Sequence, residues 1–258
     1  MPKLEAYDKS LPYSYALGIY PCHALLDARP DAARRLLIDE SAAQGEGIER
    51  LCARCGALGI RYEAAARVLR RESRKHNCYA ALVFDKFQDV LSADAPHVVL
   101  HELSDAGNLG TILRTCLGFG VKDVALIHPA ADHFEPHVIR ASMGAAFAMR
   151  VAAFETFEDY LGAYPGHALY PFMLDSATPL HEAAPNASTP YALVFGNEGR
   201  GLPPDFAQLG QSVVIPHCGA IDSLNVAVAV GIGVYAFANC GFNRGNCHTS
   251  ETRAREEI

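Results

Sequence analysis

No stretch of this 258-residue chain is both long and apolar enough to cross a bilayer. The longest apolar run, VAVAVGIGVYAFA at 226–238, is short and interrupted by glycine. The opening MPKLEAYDKS lacks the apolar centre of a secretory signal, which predicts a cytoplasmic protein without a membrane partner. Zinc-type cysteine spacing is also missing. The eight cysteines are scattered and read mostly as small core residues of a reducing compartment. Cys52 and Cys55 form a Cys-x-x-Cys pair at a helix end, with only Cys78 and His76 nearby to complete a metal or redox site, so no metal is expected. A Gly-x-Gly-x-x-Gly fingerprint with its downstream acidic residue is absent as well, which counts against an oxidoreductase.

Positive charge is scarce overall: the net charge is −7, which on its own argues against a nucleic-acid partner. Its distribution is uneven. Residues 1–90 carry 14 Lys/Arg against 12 Asp/Glu, leaving 8 against 17 for residues 91–258. RYEAAARVLRRESRK (61–75) gathers Arg61, Arg67, Arg70, Arg71, Arg74 and Lys75 against two glutamates. It reads either as a solvated helix face or as a contact for phosphates.

Half of the residues are apolar, enough for one large or two modest domains. The first residues, with three tyrosines and two prolines, read as an arm with little structure of its own. ALGIYPCHALLDA then predicts a strand leading into a helix, RRLLIDESAA a strand, IERLCARCGALGI a helix closed by Gly59, and CYAALVF a strand. The proline and small polar residues of LSADAPH (91–97) mark a boundary, giving a small α/β unit over 1–92 and a second domain over 93–243. The polar tail 244–258 is expected to be flexible.

In the second domain VVLHEL, DVALIH, HALYPFML, YALVF and SVVIP read as strands. NLGTILRTCLGF, ASMGAAFAM and NVAVAVGIGVYAFAN read as helices. This alternation predicts an α/β fold with a parallel sheet covered on both faces and a ligand at the carboxyl ends of its strands.

Three stretches carry chemistry. In HELSDAGNLGTILRTCLGFG (101–120), Leu109, Ile112, Leu113, Cys116 and Leu117 share one helical stripe, and Arg114 lies outside it. Gly110, one turn below Arg114, is expected to leave an empty space that a ligand fills. Asn108 either caps the helix or meets an anion at its N-terminus. In FGNEGRGL (195–202), Gly196, Gly199 and Gly201 permit close backbone approach to a planar ligand, and Asn197 tolerates left-handed geometry. Glu198 at the strand end is either solvated or set against a cation. In VVIPHCGAIDSLNVAVAV (213–230), a loop with Gly219 leads to Ser223 and Asn225 at a helix head, as caps or as ligand contacts.

By order, spacing and residue type, NLGTILRTC, FGNEGRGL and IPHCGAIDSLNVAVA resemble the SpoU-type (TrmH-like) RNA ribose 2′-O-methyltransferases of the SPOUT superfamily. ASMGAAFAM (141–149) is similar to the family's serine–glycine–alanine stretch, and the resemblance covers roughly 97–240. YALGIYPCHALLDA and HNCYAALVF resemble the smaller ribosomal-protein-like domain that often precedes this catalytic domain and binds RNA.

The resemblance implies a SPOUT domain with a trefoil knot, S-adenosylmethionine as cofactor, and a homodimer whose site is completed across the interface. It places cofactor contacts at Gly196, Asn197, Gly201, Ile215 and Leu224. It casts Arg114 as the residue that activates the ribose hydroxyl, with Asn108, Glu198, Ser223 and Asn225 orienting Arg114 and the ribose. A guanidinium stays protonated in proteins, so Arg114 acts either as an unusual base or by holding the adjacent phosphate. The expected partner is RNA, with ribosomal RNA ahead of transfer RNA from domain order. The alternatives are a transfer-RNA enzyme or a non-catalytic RNA-binding relic.

Overall fold

A computed structural model describes residues 4–42, 45–73, 78–176, 178–218 and 220–242. His76, Arg74, Lys75, Gly219 and the tail 244–258 lie outside the described residues.

The first part comprises β1 (Tyr13–Leu17), α1 (Ile19–Ala28), β2 (Ala33–Ile38), α2 (Glu46–Ala57), β3 (Arg61–Ala64), α3 (Ala66–Ser73) and β4 (Ala80–Asp85). Its sheet has the order β1-β4-β2-β3, with β3 parallel to β2 and the other pairs antiparallel. The basic run is therefore not one helix. Residues 61–64 form the edge strand, where Arg35 of β2 pairs with Glu63 at 3.1 Å, and only 66–73 are helical.

The N-terminal arm is stitched down, contrary to the expectation of an unstructured lead. Leu4 is buried, Arg71 donates to the Glu5 carbonyl at 2.7 Å, and the Tyr15 hydroxyl donates to the same carbonyl at 2.5 Å. The Tyr7 hydroxyl donates to Asp132. Arg71 thus spends its charge on the Glu72 carboxylate at 2.6 Å and on carbonyls of the arm.

The second part comprises β5 (His97–His101), α4 (Ala106–Gly118), β6 (Asp123–Ile127), α5 (Pro136–Ala141), β7 (Arg150–Phe154), α6 (Phe157–Ala163), β8 (Ala168–Pro171), β9 (Thr178–Pro179), α7 (Leu180–Ala183), β10 (Tyr191–Phe195), β11 (Val213–Val214) and α8 (Val226–Phe242). Five strands form a fully parallel sheet in the order β7-β6-β5-β10-β8. Its three central strands, β6, β5 and β10, are buried on both faces and their residues alternate between two cores. Val98, Leu100, Val124, Leu126, Leu193 and Phe195 pack with α4, α5 and α8. Val99, Ala125, Ile127, Ala192 and Val194 pack with Phe157, Tyr160, Tyr164 and Phe206.

Two sequence expectations change here. ASMGAAFAM is not one α-helix: α5 ends at Ala141, Gly144 at a φ of 83° sends its amide back to Ile139 (3.0 Å), closing the helix with a left-handed residue, and only Ala145–Ala148 form a short 3-10 turn. SVVIP reduces to the two-residue β11, paired with β9 instead of joining the main sheet.

From β5 the chain adds β6 and β7 on one side, then returns to place β8 and β10 on the other. The order reverses between β5 and β10, where loops diverge and leave a crevice at the strand carboxyl ends. The loops that follow these two strands are 102–105 and 196–203.

Candidate functional site

The loop after β10 folds back on itself. Asn197 and Gly201 exchange backbone hydrogen bonds of 3.2 and 2.9 Å, and Gly201 turns the chain with a φ of 68°. A Cβ on Gly196 would stand 2.1 Å from the Gly201 carbonyl carbon and 2.3 Å from the Leu202 nitrogen. The close approach that requires glycine at 196 is therefore to the protein's own backbone, where the sequence pointed to approach by a planar ligand. Asn197 is not left-handed. Its carboxamide oxygen accepts from the Gly199 and Arg200 amides (2.9 and 3.3 Å), and its nitrogen donates to the Glu102 carbonyl at 2.8 Å. These bonds moor the loop to the end of β5.

Glu198 is neither free in solvent nor set against a cation. Its carboxylate accepts from the Asp105 amide at 2.9 Å, from the Ser104 amide and hydroxyl at 3.3 Å each, and from the Asn108 side chain at 3.5 Å. This is the N-terminus of α4, where unpaired amides favour negative charge. Partial burial raises the carboxyl's pKa, but the hydrogen bonds from Asp105, its own backbone, Ser104 and Asn108 prevail and hold it below the ordinary value.

The cap of α4 is Asp105, which accepts from the Asn108 amide at 2.6 Å, so Asn108 is the third helical residue and not the cap. Its side chain is free to bridge: it donates to Glu198 and accepts from the Asn225 carboxamide at 3.1 Å. Asn225 does cap. Its side-chain oxygen accepts from the amides of Ala227 (2.9 Å) and Val228 (3.3 Å) at the head of α8.

Beside this network opens a cavity of about 270 Å³. Gly196, Asn197, Glu198, Gly201, Ile215, Ser223 and Leu224 all line it, from two of the three stretches, while the first stretch reaches it only through the bonds of Asn108 to Glu198 and Asn225. Its apolar lining includes Phe172, stacked on Phe195 at 4.3 Å between centroids, and residues 196–201 with Asp222 and Ser223 form its polar side. An apolar lining with a few fixed polar groups is the usual make-up of a small-molecule site.

Arg114 stands apart. It is exposed, lines a different cavity between α1, α4 and residues 142–148, and makes no hydrogen bond or ion pair with any described residue. The empty space expected over Gly110 is filled: a Cβ there would lie 2.5 Å from the Ala141 Cβ and 2.9 Å from the Val138 carbonyl. Gly110 lets α5 press onto α4 one turn below Arg114, on the same side of the helix.

Sequence reading missed Asp105, Ser104 and Glu102. Ser-Asp directly ahead of a small-residue helix start is a cap signal that points to Asp105. Glu102, left-handed at a φ of 57° and paired with Arg200 at 2.6 Å, has no such signal. Among the described residues no group of His, Cys, Asp and Glu is placed to hold a metal. No helix of the described residues is long and apolar enough to cross a membrane. Cys55 of the Cys-x-x-Cys pair lies in the core, where burial pushes its thiol up to about 11.

Residues 95–235, more than half of the chain and including every site residue above, match the SpoU rRNA methylase family. The chain belongs to that family. A SpoU-family relative in Bacillus subtilis, the 23S rRNA (guanosine(2553)-2′-O)-methyltransferase RlmP, is 34% identical over 143 residues, covering 54% of this chain and 56% of the relative. An uncharacterized tRNA/rRNA methyltransferase of Synechocystis is 32% identical over 163 residues, 60% of this chain and 58% of the relative. The chain thus matches little more than half the length of these curated relatives.

The match to solved structures is longer. The AdoMet-bound rRNA methyltransferase of Sinorhizobium meliloti superposes with a TM-score of 0.73 at 25% identity, over 88% of this chain and 87% of that one. The SpoU methyltransferase AviRb of Streptomyces viridochromogenes shares the fold with a TM-score of 0.78 at 20% identity, over 90% and 91%.

Proposed function

We propose that this protein transfers the methyl group of S-adenosylmethionine to a ribose 2′-hydroxyl of RNA, with ribosomal RNA ahead of transfer RNA, and that it does so as a homodimer in the cytoplasm. One observation carries the reading: Gly196, Asn197, Gly201, Ile215 and Leu224 surround a single cavity at the strand-order reversal, beside the hydrogen-bonded Glu198–Asn108–Asn225 chain. The names of the Bacillus and Sinorhizobium relatives favour ribosomal RNA.

Bound in that cavity, S-adenosylmethionine would supply an electrophilic methyl on its sulfonium, to be displaced by the ribose oxygen. The apolar lining around Phe172, Ile215 and Leu224 suits its adenine, and residues 196–201 supply polar contacts. The residues' task is to bring a poor nucleophile into line, to stabilise its developing charge and to take its proton. Asn108 and Asn225 present amide groups held by each other and by Glu198, and Ser223 adds a hydroxyl on the polar side. Arg114 supplies a cation for the adjacent phosphate, which keeps the hydroxyl in line and is itself an acceptor for the proton.

Arg114 opens into a different cavity from the one lined by Gly196 and Leu224, which supports a site completed by a second copy of the chain. The surface fits such a copy. Val228, Ile232 and Tyr235 recur along one stripe of α8, 51%, 36% and 56% exposed, and Phe119 packs edge-on to Tyr235 at 5.6 Å. The reading also includes a division of the chain at about residue 92 into an RNA-binding unit and a catalytic domain, and a trefoil knot formed by the last part of the catalytic domain.

Titration calorimetry with S-adenosylmethionine and its demethylated product tests the cavity assignment. The reading predicts binding of both. Binding of neither, or of a nicotinamide nucleotide instead, overturns it. Nucleoside mass spectrometry of ribosomal and transfer RNA from cells lacking the gene then assigns the substrate by which RNA loses a 2′-O-methyl group.

A further inference from the structure

The serine–glycine–alanine stretch at 141–149 is held in a shape that methyl transfer does not explain. Met143 adopts a left-handed φ of 55°, costly for a residue with a Cβ, and Gly144 follows at 83°. Gly144 lies directly on α1, since a Cβ there would stand 2.6 Å from the Ala24 Cβ and 3.0 Å from the Pro21 Cα. At the other end of α1, Arg29 donates to the carbonyls of Phe147 (3.3 Å) and Met149 (3.4 Å) and pairs with Asp89 at 2.7 Å. The turn is clamped to α1 at both ends, so its neighbours enforce the strained backbone, a condition that marks ligand-holding turns.

Between α1, this turn and the C-terminal half of α4 lies an open cavity of about 830 Å³. That lies within the roughly 300–1,000 Å³ of small-molecule sites. Its lining is largely apolar, with Ala28, Ala148, Phe147 and a 42% exposed Met143, and its one carboxylate, Asp27, is paired with Arg54 at 2.6 Å. Arg29 is committed to Asp89 and the two carbonyls, whereas Arg114 reaches the cavity with no partner among the described residues. One wall comes from the first sheet's helix and the other from the second part of the chain, so the cavity exists only because the two are docked. An apolar wall beside an uncommitted guanidinium matches an unstacked base linked to a phosphate.

We infer that this cavity seats one unstacked ribonucleotide of the RNA substrate, its base against Met143 and the alanines and its phosphate on Arg114. The inference rests on the methyl-transfer reading and adds to it the subsite that selects and orients the nucleotide. The strained turn is the fixed wall of that subsite.

The test uses the full chain and ribosomal RNA carrying 4-thiouridine, photo-crosslinked and mapped by peptide mass spectrometry, together with steady-state methyl transfer. Ala28→Glu and Gly118→Glu each put a carboxylate in the cavity, and a Cβ at Gly118 meets nothing within 4 Å. Leu209→Glu adds the same charge at an exposed site outside this cavity. The expected result is crosslinking within 141–149 that both cavity variants abolish. KM for RNA rises at least tenfold in those two and stays unchanged in Leu209→Glu, with cofactor affinity within twofold throughout as the measure of folding. Crosslinks confined to other segments, or an unchanged KM in both cavity variants, overturn the subsite while leaving methyl transfer standing. Crosslinks within 141–149 with no transfer by the unsubstituted protein retain the RNA site and overturn the transfer reading.

Discussion

The carboxamide of Asn225 donates to that of Asn108 across 3.1 Å, joining the heads of two helices whose residues are 117 positions apart in sequence. Through Asn108 the link continues to Glu198, so three loops that meet at the strand-order reversal share one hydrogen-bonded chain.

That bond is measurable. Asn225→Asp keeps the oxygen that caps α8 but cannot donate to Asn108, and Asn108→Ala removes the acceptor. In chemical denaturation the two substitutions should couple by about 1 kcal/mol, the net worth of one such bond. Additive effects within about 0.3 kcal/mol would show that the contact contributes nothing.

Glu198 is held ionised by the amides at the head of α4. Its pKa is below that of the unfolded chain, so its contribution is complete above the unfolded value of about 4.3 and is lost as pH falls through the folded value. Glu198→Gln should destabilise the protein at neutral pH and flatten the acid end of its stability profile. Equal acid slopes in variant and parent would contradict this.

His97 acts in the same direction over a higher pH range. Buried beside Tyr160 and Tyr164, it contacts the Tyr160 hydroxyl at 3.0 Å and the Ser92 carbonyl at 2.8 Å, and burial pushes its pKa down to about 4. An unfolded imidazole titrates near 6.5, so between those values the unfolded chain binds more protons and stability declines as pH falls from about 6.5 towards 4. His97→Gln should make that decline shallower, as read by melting temperature against pH. An unaltered slope would remove His97 from the account.

Glycines that look alike in sequence should behave differently. Gly56 sits in α2 where an added Cβ meets nothing within 4 Å, so Gly56→Ala should stabilise by about 0.5–1 kcal/mol. Gly110→Ala drives a methyl to 2.5 Å from Ala141 and should cost about 1–3 kcal/mol. Denaturation midpoints decide both. A tolerated Gly110→Ala would mean that α4 and α5 separate more easily than their packing indicates.

These glycines also show what sequence could and could not reveal. The spacing of Leu109, Ile112, Leu113 and Cys116 is visible as a buried stripe because helical periodicity is local, and all four are fully buried. The neighbour of Gly110 is not visible, because it is Ala141, supplied by another helix. Gly196 was legible as a place of close approach, but sequence could not say that the approaching group is Gly201 five residues on. The parallel sheet could be read from its runs of apolar residues. RVAAF, with its charged first residue, and the four-residue RYEA carry too little periodicity to stand out, although both are strands. Periodicity placed Arg114 off the apolar stripe of its helix, but that it faces a different cavity from Glu198 depends on α1 and residues 142–148, which are distant in sequence.

Arg114→Ala should abolish methyl transfer and leave cofactor affinity within about twofold, since Arg114 lies outside the cavity lined by Gly196 and Leu224. Mixed with a variant such as Gly196→Val that cannot hold the cofactor, it should regain part of the activity if the site spans two chains. Full turnover by Arg114→Ala alone would exclude it from the chemistry.

The most direct measurement supplies methyl-tritiated S-adenosylmethionine and unmodified ribosomal RNA, then hydrolyses the product in alkali. A methylated 2′-oxygen cannot attack the neighbouring phosphate, so the label is predicted to remain in alkali-resistant dinucleotides. Label released in mononucleotides, as from a methylated base, or no label at all, would contradict the account.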